Sequence, residues 1–198
     1  MKICLGISRL KSDLTEAISK NFYNLSEELV KQGEEVIAIS PVKIKSPMNS
    51  KLIVYSKNHH YKSKSKIFSN VKNLGKFIKK NENNFDIFHM HLGFLFEAYL
   101  LSRIIKNVKK PIIITIWQPY MNLKEFFNFK VLFTKPKDYL MHFIFNSFIT
   151  APFFGNQIKN KYNRIVVSTK YQKQQLIKFI PNDKIKIIPN GLKDSEKQ

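Results

Sequence analysis

Met1-Lys-Ile-Cys-Leu-Gly-Ile-Ser8, a polar-to-apolar stretch up to Gly33, and then Glu34-Glu-Val-Ile-Ala-Ile-Ser-Pro41 set the architecture of this chain. Two short apolar runs ended by polar or turn residues read as buried strands over residues 2–8 and 36–40. Between them, Leu14, Ala17, Ile18, Leu25 and Leu29 recur at three- and four-residue steps, which predicts a helix with that inner face. Asp13-Leu-Thr-Glu16 has capping-box spacing at its start, and Gly33 supplies a left-handed stop at its end. Strand, helix and strand within forty residues is a βαβ unit, which demands a parallel sheet and a right-handed crossover.

The same rhythm continues outward. Leu52-Ile-Val-Tyr55 is a short strand, and residues 66–81 are a helix with Ile67, Val71, Leu74 and Ile78 inward. Phe85-Asp-Ile-Phe-His-Met-His91 is a strand, and Gly93 opens the turn into a helix near 94–106. Pro111-Ile-Ile-Ile-Thr-Ile-Trp117 has the continuous apolar character of a strand buried on both faces. Arg164-Ile-Val-Val-Ser168, a helix, and Lys184-Ile-Lys-Ile-Ile-Pro-Asn-Gly191 close the pattern. The expected fold is α/β: a Rossmann-like, doubly wound, mostly parallel sheet, with residues 1–198 as one domain. Residues 122–161 interrupt it with nine phenylalanines interleaved with lysines. Helices near 122–132 and 137–160 are expected there, kinked or split at Pro152. Phe at helical spacing is usually core; the alternative is an amphipathic surface bedding into lipid headgroups.

Composition limits the function classes. Lys and Arg number 34 against 14 Asp and Glu, a net charge of +20, and residues 43–80 hold eleven lysines and no acid. Such a field attracts an anionic membrane face or nucleic acid. Abundant Lys, Asn, Ile and Phe together also fit AT-rich coding bias, which explains most of the excess. Only three arginines and no nucleic-acid motif leave nucleic acid a poor partner. The single cysteine, Cys4, forms no disulfide within the chain and reads as a small buried residue in a reducing compartment. The start is too short for a secretory signal core, and no run nears the roughly 20 apolar residues of a spanning helix. The expected location is cytoplasmic, with peripheral attachment to the inner membrane face open.

In open α/β sheets, ligands bind beyond the carboxyl ends of the strands. Four such ends carry polar groups: Ser8 with Lys11 and Ser12, His91, Trp117 with Gln118, and Ser168. His89 and His91 share a face, with His91 nearer the tip. Ser168 or Thr169 caps the following helix in the simplest account. Gly6 alone does not make a dinucleotide fingerprint, and there is no P-loop and no Gly-x-Ser-x-Gly elbow. No second His or Cys pair completes a metal site, and the acids fall mostly on helix surfaces such as Glu27, Glu28, Glu34 and Glu35. Spacing alone assigns no catalytic residue.

Three segments nonetheless resemble the amino-terminal domain of family-4 glycosyltransferases, which have the two-domain GT-B fold. Leu29-Val-Lys-Gln-Gly-Glu-Glu-Val-Ile37 is similar to the family's entry to its second strand, and Asp86-Ile-Phe-His-Met-His91 to its Asp-hydrophobic-hydrophobic-His-x-His segment. Arg164-Ile-Val-Val-Ser168 through Ile187-Ile-Pro-Asn-Gly191 is similar to its closing pattern. The resemblance implies retaining transfer from a nucleotide-sugar co-substrate, with no other cofactor and no required metal. It implies that this domain holds the acceptor, often lipid-linked, while a carboxy-terminal donor-binding domain or subunit holds the nucleotide sugar. It places Ser8, Lys11, Ser12, His91, Trp117, Gln118, Ser168, Asn190 and Gly191 along the cleft. Arg9-Leu-Lys-Ser12 occupies the loop where many members carry Gly-Gly, and Trp117 stands where many carry histidine. With the donor half absent from these 198 residues, little or no transfer is expected from them alone. The alternative is a non-catalytic Rossmann-like module that docks on membranes.

Overall fold

The computed structural model describes residues 1–45, 47–55, 65–118 and 151–189, excluding the side chains of 65–67, 118 and 151–154. Among the described residues, seven parallel strands form one sheet: β1 (Lys2–Ile7), β2 (Glu35–Ser40), β3 (Lys51–Val54), β4 (Ile87–Phe94), β5 (Ile112–Gln118), β6 (Arg164–Val167) and β7 (Ile185–Ile187). Their order is β3-β2-β1-β4-β5-β6-β7. The chain therefore builds leftward from β1, returns, and builds rightward from β4. The reversal leaves a crevice between the carboxyl ends of β1 and β4, where the two crossovers leave in opposite directions. The fold expected from the sequence is the one observed.

Five α-helices are described: α1 (Ala17–Lys31), α2 (Ser65–Lys80), α3 (Leu95–Ile104), α4 (Ala151–Lys161) and α5 (Lys170–Leu176). Strand alternation divides the core in two. Leu5, Ile7, Val36 and Ala38 face Ile18 and Phe22 of α1 on one side. Cys4, Ile39, Phe88, Met90, Ile114 and Ile165 face Val71, Leu74 and Ile78 of α2, with Ala98, Leu101, Tyr162 and Leu176, on the other. Cys4 is fully buried, and loss of water pushes its thiol well up, so it remains protonated.

Local chemistry corrects three details of the sequence reading. Asp13 does not cap α1. Its Oδ1 accepts from the Thr15 amide at 3.1 Å and from the Thr15 hydroxyl at 2.9 Å, a turn in which Leu14 adopts φ 58°. The helix starts later, after Glu16, whose side chain makes no cap hydrogen bond. The buried line of α1 is accordingly Ile18, Ser19, Phe22 and Ser26, with Leu25 and Leu29 on its flank and Ala17 exposed. β4 also starts two residues later than expected and runs through Gly93 to Phe94, so the turn into α3 follows Phe94.

Other local signals act as read. Gly33 has φ +84°, its amide bonds the Val30 carbonyl and the next amide bonds Leu29, which is the Schellman closure of a helix. Thr169 caps α5 through a capping box with Gln172. Of the helix expected over 137–160, residues 151–160 fall within the described α4; the part before Ala151, leading up to the kink expected at Pro152, lies outside the described residues. The helix near 122–132, the Phe-rich segment up to residue 150 and the side chain of Ile67 lie outside the described residues.

Candidate active site

The β1–β4 crevice is built around an acid hidden in an apolar stretch. Glu97, in the first turn of α3, is 1% exposed. Its Oε2 accepts from the Ser8 hydroxyl and from the Gly93 amide at 3.1 Å, and its Oε1 accepts from Arg9 Nε at 3.2 Å. Arg9 Cζ also lies 4.2 Å from the centre of the Phe94 ring, a cation–π contact. A side chain at residue 93 would bring its Cβ to 2.7 Å from Arg9 Nε and 3.0 Å from Glu97 Oε1, so only glycine lets this pair close over the strand. Glu97 thus locks the tip of β1 to the tip of β4.

Further bonds fix the first loop. The Ser8 amide donates to the His91 carbonyl at 3.1 Å, Asn70 Nδ2 donates to the Ser8 carbonyl at 3.1 Å, and Tyr55 Oη donates to the Ile7 carbonyl at 2.8 Å. The Lys11 amide donates to Ser19 Oγ at 3.0 Å, and Lys11 Nζ lies 3.3 Å from Glu16 Oε1. The carbonyl of Ser12 accepts from the Lys45 amide at 3.0 Å. Among the expected cleft residues, Ser8 is therefore fully buried within the scaffold, while Lys11 and Ser12 stay partly exposed on the loop.

A ring stack runs beneath the strand tips. His89 and His91 lie 4.9 Å apart and nearly parallel, and Trp117 continues the stack 6.5 Å from His91 at 28°. Phe22 meets His91 edge-on at 5.8 Å. His89 Nε2 pairs with Thr115 Oγ1 at 2.8 Å. His91 is 2% exposed, and neither of its nitrogens nor Trp117 Nε1 has a hydrogen-bond partner among the described residues. Burial lowers the His89 pKa to about 4; burial, with His89 alongside, holds His91 well below its usual value. Both rings are neutral at pH 7 and bring dipoles, not charge, to the crevice.

An open cavity of about 280 Å³ sits over this floor, lined by Arg9, Glu16, Ala17, Ile18, Gly93 and Trp117. Gln172 holds its β5 wall, because Nε2 donates to the Trp117 carbonyl at 2.8 Å while Oε1 accepts from the Ser168 amide at 2.8 Å. Ser168 thus stands at the β6 tip, joined to β5 by Gln172. The structure brings Lys11, His91, Trp117 and the newly found Arg9, Glu16 and Glu97 to one crevice. The Gln118 side chain, Asn190 and Gly191 lie outside the described residues. No three His, Cys, Asp or Glu side chains converge in a metal-binding cluster among the described residues.

The sequence model of Glycosyltransferase Family 4 matches residues 18–196. A comparison with curated proteins finds no match. Among solved structures, the chain is similar to sucrose-phosphate synthase from Thermosynechococcus elongatus, with 12% identity and a TM-score of 0.59 over 96% of this chain and 48% of that one. It is similar to Anabaena HepE, solved in complex with UDP-glucose, with 9% identity and a TM-score of 0.53 over 97% and 44%. A glycosyltransferase from Rickettsia africae is 18% identical, with a TM-score of 0.50 over 100% and 46%. At such identities these likenesses concern the fold alone, and the chain spans about half the length of each of these three. The fold they share, with a family pattern running from α1 to the end of the last strand and beyond, carries one conclusion: the chain belongs to glycosyltransferase family 4.

Proposed function

We propose that this domain is the acceptor-binding wall of a retaining glycosyltransferase, working against a second domain that binds the nucleotide-sugar donor. The observation that carries the reading is the open cavity at the β1–β4 switch point, with Arg9, Glu16 and Trp117 facing one space. Ligands of open parallel sheets bind there. A one-sided cavity gives positioning without enclosure. Glycosyl transfer draws on both orientation and preorganised dipoles around the charge that develops on the transferred sugar and its leaving diphosphate. In this reading the neutral histidine–tryptophan stack supplies a dry, uncharged floor, and the second domain supplies the groups that face the diphosphate.

Purified residues 1–198 given UDP-glucose or GDP-mannose, with product followed by mass spectrometry, are expected to give neither transfer nor donor hydrolysis. Addition of a donor-binding domain, fused or in trans, is expected to restore turnover. Robust turnover by residues 1–198 alone would overturn the division of labour.

A membrane-facing role is favoured by α2. Lys72, Lys76, Lys79 and Lys80 are all exposed, and Phe68, 45% exposed, heads the same side of the helix with its ring 5.3 Å from that of Phe96. Among the described residues no helix is long and apolar enough to cross a membrane. We infer that this stripe docks on an anionic bilayer, each lysine near the surface contributing about 1 kcal/mol at low salt. Co-sedimentation with phosphatidylglycerol vesicles is expected to be strong in low salt, to fade as salt rises, and to be lost in a Lys72→Gln, Lys76→Gln, Lys79→Gln variant. Equal binding to neutral phosphatidylcholine vesicles would contradict it.

A further inference from the structure

We propose that the acceptor group entering this cavity is an uncharged saccharide and not a phosphate-bearing group; this rests on the reading of the domain as an acceptor wall. The argument starts from a contrast. The chain carries a net charge of +20, yet the charges described at the cavity are paired. Arg9 is neutralised by Glu97 at 3.2 Å, and Glu16 by Lys11 at 3.3 Å. The most basic protein surface therefore gives way, at the cavity, to local balance.

The position of Glu16 sharpens the point. It is the residue that precedes α1, a helix of 15 residues whose first turn holds no acid and whose N-cap side chain makes no cap hydrogen bond. That helix end is where a phosphate would gain most from unpaired amides and the helix dipole. Glu16, bridged to Lys11, sets a carboxylate at that end, so a phosphate there would have to share or displace the pair. That carboxylate accepts hydrogen bonds and offers a ligand none. A phosphate at neutral pH offers acceptors, whereas a sugar hydroxyl both donates and accepts. Arg9 and Glu16 together, one donor and one acceptor, suit a ring of hydroxyls.

Trp117 supplies the apolar half of the match. It is partly exposed and lines the cavity, with the neutral His91 ring stacked 6.5 Å away and the α1-side apolar cluster packed against it. The electron-rich indole face attracts the weakly positive C–H face of a pyranose. His91 Nδ1 and Nε2, which are buried and unpartnered among the described residues, keep polar capacity directly beneath. A volume of about 280 Å³ lies at the small end of ligand sites, which suits one sugar ring.

Trp117 is the only tryptophan of the chain, so its fluorescence reports from this cavity alone. Residues 1–198 would be titrated with methyl α-glucopyranoside, methyl β-galactopyranoside and N-acetylglucosamine, and separately with glucose 1-phosphate and inorganic phosphate. Saturation-transfer NMR gives an independent readout. Millimolar binding of at least one neutral sugar, at least fivefold tighter than any phosphate-bearing probe, is the expected result. Glu16→Ala is expected to narrow that preference at least fivefold, by weakening the sugar and strengthening the phosphates. Trp117→Phe, read by NMR, is expected to retain binding within about threefold, and Trp117→Ala to lose at least tenfold. Preference for the phosphate-bearing probes in the wild-type chain would overturn the proposal while leaving the acceptor-wall reading in place. Binding of neither class would overturn both.

Discussion

Replacing Glu97 with alanine is expected to lower the unfolding free energy by about 3–5 kcal/mol, the cost of breaking a buried ion pair by deleting one partner. The carboxylate is 1% exposed and receives three donors. Its loss strands the Gly93 amide in a dry site, leaves the Ser8 hydroxyl only the His91 carbonyl at 3.5 Å, and leaves Arg9, whose side chain is 20% exposed, without its counter-charge. Each unsatisfied buried group costs about 1–3 kcal/mol. Glu97→Gln keeps the shape but offers an amide donor where only acceptors serve, so it should fall between alanine and wild type. The pair itself is less valuable than its breakage suggests, since desolvation offsets much of the Coulomb gain. A double variant, Arg9→Met with Glu97→Leu, removes the unpaired charge and refills the space but still leaves the Gly93 amide without an acceptor, so it should recover only the part of the Glu97→Ala loss that comes from the broken ion pair. Urea unfolding with unchanged m-values gives the measurement. A loss below about 1 kcal/mol in Glu97→Ala would remove Glu97 from its role as the lock between β1 and β4.

That lock was invisible in the sequence for a physical reason. Its partners Ser8 and Arg9 lie 89 and 88 residues upstream, and only the parallel pairing of β1 with β4 brings them together. Local periodicity reports which face of an element is apolar, and it reported β1, β2, β5 and the inner face of α2 well. It says nothing of which strand tips are neighbours. One signal was present: Glu97 stands alone among Leu95, Phe96, Ala98 and Leu101, one turn after a strand-end glycine. An unpaired acid on the buried side of a helix must find donors across the fold. The misplaced start of α1 has a different cause. Asp13 can bond either a helix amide or its own local turn, and the spacing Asp-x-x-Glu does not distinguish them. The neutral state of His89 and His91 was likewise beyond the sequence, because it depends on burial in the assembled sheet, with Phe22 and Trp117 meeting His91.

Acidification is expected to destabilise the domain between pH 6.5 and about 4, and the two stacked histidines are the main cause. An unfolded histidine titrates near 6.5, whereas folded His89 titrates at about 4 and His91 well below the ordinary value. Below pH 6.5 the unfolded chain takes up protons that the folded chain refuses. Stability is therefore fully present above pH 6.5 and falls as the pH drops, the loss from His89 levelling off once the pH passes its folded value. For His89 the interval corresponds to about 3 kcal/mol, at up to about 1.4 kcal/mol per pH unit, and His91 adds loss of the same sign. The first charge would also have to form 4.9 Å from a second ring that then resists its own, so protonation should coincide with opening of the β1–β4 crevice. Urea midpoints at pH 7.5, 6.0, 5.0 and 4.5 should fall steadily in the wild type. His89→Gln combined with His91→Phe should flatten the curve over that range, even if the variant starts less stable at pH 7.5. A wild-type midpoint that holds constant from pH 7.5 to 4.5, or a double variant with an undiminished slope, would show that the histidines are not kept neutral by the fold.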